Sequence, residues 1–393
     1  MARSAPSFPI RLAMAAPPGS PPDSALGELF AFAAERQAVA QALPPFRVLI
    51  RSSNWLGDAV MTVPAVRAIK RARPGTHVTV LTPEKLGDVW KLVSEVDEVI
   101  PFPGAHGSGL ARTFHGVLQI FKVAKLIRGR GFDAAVMFPN SVRTGLEAWL
   151  AKIPRRIAYA GHAPRRMFLT EVVPAATFSG KDRATEPPGH QVRGYLKIAE
   201  FLGASIGDEP GFGFPDAGIR AAGRDMSPVR IAVCAGAEYG PAKRWLPERF
   251  AEVIRSIGES TDCRWHLVGT AKDRAVAEEI ATLAGNPGYL ENLCGGTTLA
   301  ELIALLRGCR LVLTNDTGTM HLAALLGVQT VSIFGSTEPR LTGPLGRGHV
   351  VLRRQVECSP CFLRDCPLDF RCMRAIETAQ VVAAIRSVLA PKK

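Results

Sequence analysis

The stretch LVLTNDTGTMHLAALLGVQ, Leu311 to Gln329, decides how the chain is read. An apolar strand stops at Thr314, a polar turn of Asn315, Asp316, Thr317 and Gly318 follows, and a small-residue helix begins with His321 in its first turns. Gly318 permits close backbone approach. The start of the helix offers unpaired N–H groups and a positive dipole end, which together favour an anion. Thr317 and Thr319 add hydroxyls beside it. Read without any ligand, the same turn is an N-cap at Asp316 with a histidine at the edge of the core.

Working outward, the same alternation runs through the chain. FRVLIRS, HVTVLTP, VDEVIPFP and FDAAVMFPN read as strands in the first half, with AVRAIKRARPG, KLGDVWKLV and GVLQIFKVAKLIRGRG as helices between them. VRIAVCAGA, RWHLVGT, RLVLT and TVSIFG repeat the pattern in the second half, separated by LPERFAEVIRSIG, DRAVAEEIATLAG and LAELIALLRGC. Short apolar strands alternating with amphipathic helices predict an α/β chain with parallel sheets. The Pro/Gly-rich segment 205–228 interrupts the pattern and reads as a linker. The expected organisation is therefore a leader over 1–45, a Rossmann-like half over 46–204, the linker, and a second Rossmann-like half over 229–393. Such sheets bind ligands at the carboxyl ends of their strands.

Composition narrows the class. The chain has 393 residues with Lys+Arg 48 against Asp+Glu 35, a net charge of +13, which points to an anionic partner. No aromatic-rich RNA-binding motif and no basic DNA-reading helix accompanies that charge, so nucleic acid is disfavoured. No apolar run approaches the ~18 residues of a membrane span. The leader, rich in Pro, Ala and Ser, is a poor signal peptide. It reads as a disordered leader or the product of an upstream start codon, with an amphipathic membrane-surface helix as the alternative.

Further polar motifs follow strands. In CAGAEYGPAKRWLPERF, Gly236 and Gly240 keep the loop open, Glu238 supplies a polar contact, and Lys243 brings a cation just before a helix start at Pro247. In LVGTAKDRAVAEEI, Asp273 reads first as a helix cap and second as a border of a nucleotide site. In RSSNWLGDAVMTVPAVRAIK, Asp58 lies in the first strand-to-helix turn, as a helix cap or as a base facing the cleft. The chain has no GxxxxGK[ST], no GxGxxG after a strand and no DxD motif. That argues against a P-loop, a dinucleotide dehydrogenase and a metal-held diphosphate.

NWLGDAVMTVPAVRAI, PNSVRTGLEAWLAKIPRRIAYAG, GAEYGPAKRWLPERF and TNDTGTMHLAALLG occur in that order. Together they resemble the ADP-heptose:lipopolysaccharide heptosyltransferases of glycosyltransferase family 9, most closely the heptosyltransferase II type, over roughly residues 47–350. The resemblance implies a GT-B fold, with acceptor bound in the first half and nucleotide sugar in the second. It implies an inverting, metal-independent transfer of L-glycero-D-manno-heptose from ADP-heptose to the lipopolysaccharide inner core, by a cytoplasmic protein visiting the inner leaflet of the inner membrane. By that likeness Asp58 is the general base and Lys243 the phosphate-binding lysine. Asp316, Thr317, Gly318 and His321 form the donor loop, with Gly236, Glu238 and Asp273 beside it. KIPRRIAYAGHAPRRMF then offers Lys152, Arg155, Arg156, Arg165 and Arg166 to an acidic acceptor, or is a solvated basic face. The alternatives are a related transferase with another sugar or core acceptor, and a non-catalytic sugar-nucleotide or nucleic-acid binder.

One feature lies outside this pattern. Cys358, Cys361, Cys366 and Cys372 are spaced C-x2-C-x4-C-x5-C. Structural zinc, a disulfide-linked or redox-sensitive loop, and reduced thiols are all open for them. No cofactor is expected for catalysis itself.

Overall fold

The computed structural model describes residues 46–104, 109–161, 163–174, 189–207, 210–218 and 227–390. The leader, and with it the choice between a disordered and a helical one, lies outside the described residues. Phe46–Lys393 forms one compact unit.

That unit holds two six-stranded parallel sheets. The first is built from β1 (Arg47–Arg51), β2 (His77–Pro83), β3 (Glu98–Phe102), β4 (Ala134–Met137), β5 (Arg155–Tyr159) and β6 (Glu171–Val173). The second is built from β7 (Val229–Cys234), β8 (Cys263–Leu267), β9 (Leu290–Asn292), β10 (Leu311–Asn315), β11 (Gln329–Phe334) and β12 (Val350–Arg353). Their orders are β3-β2-β1-β4-β5-β6 and β12-β11-β10-β7-β8-β9, the same doubly wound order twice. In each sheet the order reverses beside the first strand, where the polar turns after β1 and β7 emerge. This is the pair of Rossmann-like sheets expected of a GT-B fold.

The main helices are α1 (Leu56–Ala72), α2 (Gly109–Ile127), α3 (Val142–Leu150), α4 (Val192–Phe201), α5 (Pro247–Gly258), α6 (Arg274–Leu283), α7 (Leu299–Arg307), α8 (Gly318–Leu325) and α9 (Thr378–Leu389). Alternate strand residues face opposite sides of the first sheet. Val48, Ile50 and Val136 pack in the cluster that includes α1 and α4. Leu49, Leu81 and Met137 pack with α2 and α3 on the other face. The α1 cluster continues without a break through Leu322, Ala323 and Leu326 of α8 and its C-terminal end into Ala232 and Val312 of the second sheet. The outer face of that sheet, with Ile231, Val233 and Leu313, is closed by Phe250, Ile254, Ile280 and Ile385 of α5, α6 and α9.

Three expectations change. KLGDVWKLV contributes only the end of a 3₁₀ turn, Glu84–Leu86, and one α-helical turn, Gly87–Trp90. The basic stretch after Ser141 carries α3, β5 and β6, and β9 and β12 border the second sheet. These strands are short and partly charged (RRIAY, EVV, LEN, VVLR), so they lack the apolar run that marks a central strand. The segment read as a linker packs where it is described: Phe214 and Ala217 are buried, and the Ala217 N–H donates to the Arg347 carbonyl at 2.7 Å.

The halves meet N-terminus to N-terminus, α1 against α8. A Cβ on Gly318 would lie 2.9 Å from Leu56 Cβ and 3.1 Å from the Gly57 nitrogen. A Cβ on Gly57 would lie 2.9 Å from His321 Cδ2 and 3.6 Å from Gly318 Cα. Because the Gly318 clash involves backbone, Gly318→Ala must push the helices apart. It is expected to cost about 1–3 kcal/mol of stability, read as a lower midpoint in chemical denaturation. A midpoint equal to wild type would show that the helix ends have room to spare.

Candidate functional site

Asp58 is the third residue of α1, and the helix starts at Trp55 with no side-chain cap. Asp58 is thus not the N-cap residue, although its charge lies in the first turn, where it suits the positive helix end. Pro64 is accommodated in the helix interior, so the start lies upstream of it. Asp58 Oδ1 accepts from Gln191 Nε2 at 3.0 Å and from the Tyr195 hydroxyl at 3.5 Å. Burial raises the Asp58 pKa above the ordinary carboxylate value, opposed by hydrogen bonds from Gln191 and Tyr195 and by the charge of Lys243. Gln191 is itself fixed from the other half, since its backbone N–H donates to the Leu341 carbonyl at 2.9 Å. Tyr195, one turn into α4, is held protonated by burial first and by the Asp58 charge next.

Across the junction, Lys243 Nζ donates to Asp316 Oδ2 at 2.6 Å, and the Thr337 hydroxyl donates to the same oxygen at 2.7 Å. Asp316 is not the N-cap of α8. Thr317 holds that position in an extended conformation, without a side-chain cap. Asn315 adds rigidity, accepting from the Trp245 N–H at 3.1 Å and donating to the Ala235 carbonyl at 2.7 Å. The loops after β7, β10 and β11 are thus tied to one another around the Lys243 ammonium. Beside it, the start of α8 points its backbone N–H groups into the junction.

His321 is buried between the helix ends, and burial pushes its pKa down to about 4, so the ring is neutral near pH 7. Its Nδ1 is buried and has no hydrogen-bond partner among the described residues. The ring packs on Gly57 and acts as a spacer between halves. Asp273 accepts from the Thr270 N–H at 2.9 Å and from its hydroxyl at 2.8 Å, closing a capping box. Asp273 also crowds Gly236, where a Cβ would fall 2.2 Å from Asp273 Oδ1. Glu238 is exposed and pairs with Lys272 at 3.4 Å.

The five basic residues of the first half differ in their surroundings. Arg155 pairs with Glu171 at 2.7 Å. Arg156 donates to the carbonyls of Phe168 at 2.7 Å and Ile153 at 2.5 Å, fixing the backbone around β5. Lys152 and Arg166 are exposed. Arg165 is buried; it donates to Asn140 Oδ1 at 2.7 Å, and burial lowers its pKa to about 10, which leaves it charged at neutral pH. Arg51, at the end of β1, pairs with the buried Glu147 at 3.0 Å, and Arg143 pairs with the same carboxylate at 2.7 Å. Two guanidinium groups on one carboxylate leave a net positive charge at the carboxyl ends of β1 and β4, which favours an anion there.

Sequence reading missed Gln191, Tyr195, Thr337, Arg51 and Arg143. Except for Arg143, four residues before Glu147 on α3, their partners lie in other elements; Gln191 and Asp58 are 133 positions apart. The local signals were GHQVRGYLKIAE, with polar Gln191 and Tyr195 one helical turn apart, and Arg143 with Glu147 at the same spacing. The four C-terminal cysteines are free thiols, Cys372 buried and the others partly so. Among the described residues no group of three or more His, Cys, Asp or Glu side chains is arranged to hold a metal ion, so the arrangement gives the zinc alternative no support.

Residues 120–370 match the model of glycosyltransferase family 9 (heptosyltransferase). The chain is 27% identical over 329 residues to lipopolysaccharide heptosyltransferase 2 of Salmonella typhimurium, covering 78% of this chain and 88% of that one. It is 28% identical over 324 residues to the enzyme of the same name from Escherichia coli, with the same coverage. The solved structure of the E. coli ADP-heptose lps heptosyltransferase II has the same fold, with a TM-score of 0.66 at 22% identity, covering 87% of this chain and 98% of that one.

Because the Gln191 amide stabilises the Asp58 carboxylate, Gln191→Leu removes a hydrogen bond that lowers its pKa. The Asp58 carboxyl is expected to titrate at higher pH in Gln191→Leu than in wild type, read by NMR of the labelled side chain. An unchanged or lower midpoint would show that the bond carries no weight.

Proposed function

Because the chain belongs to glycosyltransferase family 9, we propose that it transfers L-glycero-D-manno-heptose from ADP-heptose to the heptose of a lipopolysaccharide inner core, with inversion at the anomeric carbon. The acceptor occupies the half spanning 46–204 and the nucleotide sugar the half spanning 229–393. The observation that carries this reading is the contact of the two helix starts at Gly57 and Gly318, which brings Asp58, the residue after Gly57, to the same junction as Asp316, two residues before Gly318, and the Lys243 ammonium that Asp316 holds.

In this mechanism Asp58 takes the proton from the acceptor hydroxyl as that oxygen attacks the anomeric carbon. The bond from that carbon to the diphosphate breaks on the opposite side, and ADP leaves with the electron pair. A pKa raised by burial suits the base to its task, because proton transfer is most effective when base and operating pH are matched. Lys243 and the backbone N–H groups opening α8 offset the charge gathering on ADP. These groups supply the positive charge that would otherwise call for a metal, which is the ground for reading the transfer as metal-independent. Asp316 and Thr337 act indirectly, by fixing Lys243. Arg51, Arg143 and Arg165 give the acceptor half its affinity for anionic sugar.

A lipid-anchored acceptor places the work at the inner leaflet of the inner membrane. The outward face of α2 supports that placement: it exposes Val117, Leu118 and Phe121 beside Lys122 and Lys125, and the helix contains no acidic residue. Apolar side chains flanked by cations favour an anionic lipid surface.

The deciding assay is ADP release from ADP-heptose with a heptose-bearing truncated core as acceptor, with EDTA present. Acceptor-dependent turnover that survives EDTA and falls by about 10²–10⁴-fold in Asp58→Ala is expected. In Lys243→Ala a loss of about 10²–10³-fold is expected. Turnover independent of either side chain would overturn the assignments. For the lipid face, Phe121→Ser with Lys125→Glu is expected to abolish co-sedimentation with anionic vesicles while sparing turnover on a deacylated, soluble acceptor. Undiminished sedimentation would reject α2 as the contact.

A further inference from the structure

The Cys-rich segment has no part in the mechanism above, yet it lies against the loops that carry it. Arg364, between Cys361 and Cys366, accepts from the Ala242 N–H through its carbonyl at 3.0 Å. Its Nε donates to the Tyr239 carbonyl at 2.7 Å. The Tyr239 hydroxyl donates back to the Phe362 carbonyl at 2.7 Å. The approach is close enough that a Cβ on Gly240 would sit 2.3 Å from the Arg364 carbonyl oxygen. The residues from Tyr239 to Ala242 immediately precede Lys243, so the segment grips the lysine's own loop from outside.

It grips the neighbouring loop as well. The Phe362 N–H donates to the Ser336 carbonyl at 2.8 Å, and the Ser359 hydroxyl donates to the Gly335 carbonyl at 2.5 Å. Beneath, a Cβ on Gly335 would lie 2.8 Å from Met373 Sδ and 3.0 Å from Cys372 Sγ. Ser336 precedes Thr337, which holds Asp316, which holds Lys243. Phe362 stands at φ 56°, costly for a bulky residue, and its N–H and carbonyl are each committed to one of the two loops. Tyr239 completes the arrangement: its ring lies under two cations, the Lys243 ammonium at 4.9 Å and the Arg364 guanidinium at 5.6 Å.

We propose that segment 358–372 is a strap for the diphosphate-binding lysine, and that Arg364 and Tyr239 are positioning residues acting through Lys243. The inference rests on the role given to Lys243 above. It assigns the Cys-rich segment to leaving-group stabilisation, through backbone carbonyls, one guanidinium and one aromatic ring.

The test is a double-mutant cycle read on ADP itself, which makes it independent of the sugar and acceptor. ADP affinity is measured by calorimetry for wild type, Lys243→Ala, Arg364→Ala and the double variant, with turnover in parallel. Arg364→Ala is expected to weaken ADP about tenfold in the wild-type background and less than about twofold when Lys243 is already gone, because residues acting through one another are not additive. Tyr239→Phe, which keeps the ring and loses one exposed hydroxyl, is expected to fall between wild type and Arg364→Ala and guards against a fold defect. A full loss from Arg364→Ala in both backgrounds would make it a general structural residue and overturn the proposal, as would unchanged ADP affinity in both Arg364→Ala and Tyr239→Phe. Failure of wild type to use ADP-heptose, with the ADP cycle as expected, would overturn the sugar assignment alone and leave the strap standing.

Discussion

The close approach of two helix N-termini is the constraint on which the rest depends. α1 and α8 meet at Gly57 and Gly318, with the neutral ring of His321 filling the space between them. Neither glycine is needed for its backbone freedom; each is needed for the side chain it lacks. The junction fixes the distance between two sheets that would otherwise be independent Rossmann-like units. It also aims two positive helix ends at one volume of space, and it makes the apolar cluster around α1 continuous with the second sheet.

The electrostatics of the site follow from that closure. Burial at the junction raises the Asp58 pKa, while Gln191, Tyr195 and the Lys243 charge hold the rise in check. Lys243 enters as the half-buried partner of the buried Asp316, whose second hydrogen bond comes from Thr337. A lone ammonium on a flexible stem would wander; an ammonium held by a fixed carboxylate points one way. In the first half the balance is reversed, with Arg51 and Arg143 sharing Glu147 so that positive charge remains in excess.

Support for these groups comes in layers. Asn315 ties the loop after β10 to the backbone of the loop after β7. The Cys-rich segment then ties the loop after β7 to the loop after β11 from the outer side. The thiols that draw the eye in the sequence are less involved in this than the residues between them, Ser359, Phe362 and Arg364.

Local pattern alone determined the fold class. Central strands such as RVLIR and LVLTN are apolar runs between helices of period 3.6, and neither needs a distant partner to be recognised. The turns after β1, β7 and β10 were legible for the same reason, since polar residues between two buried elements stand out in any window, and Asp58, Lys243, Asp316 and Gly318 come from those turns. Edge strands such as LEN and EVV were not legible, because their identity lies in the neighbour they pair with. Tertiary structure decided what each polar residue does. It turned Asp316 from a helix cap into the anchor of Lys243, made His321 a spacer, spent Arg156 on backbone carbonyls, and brought Gln191 to Asp58 from 133 positions away. A side chain's role depends on its partners, and partners are set by how two sheets close on each other, which no local window of sequence contains.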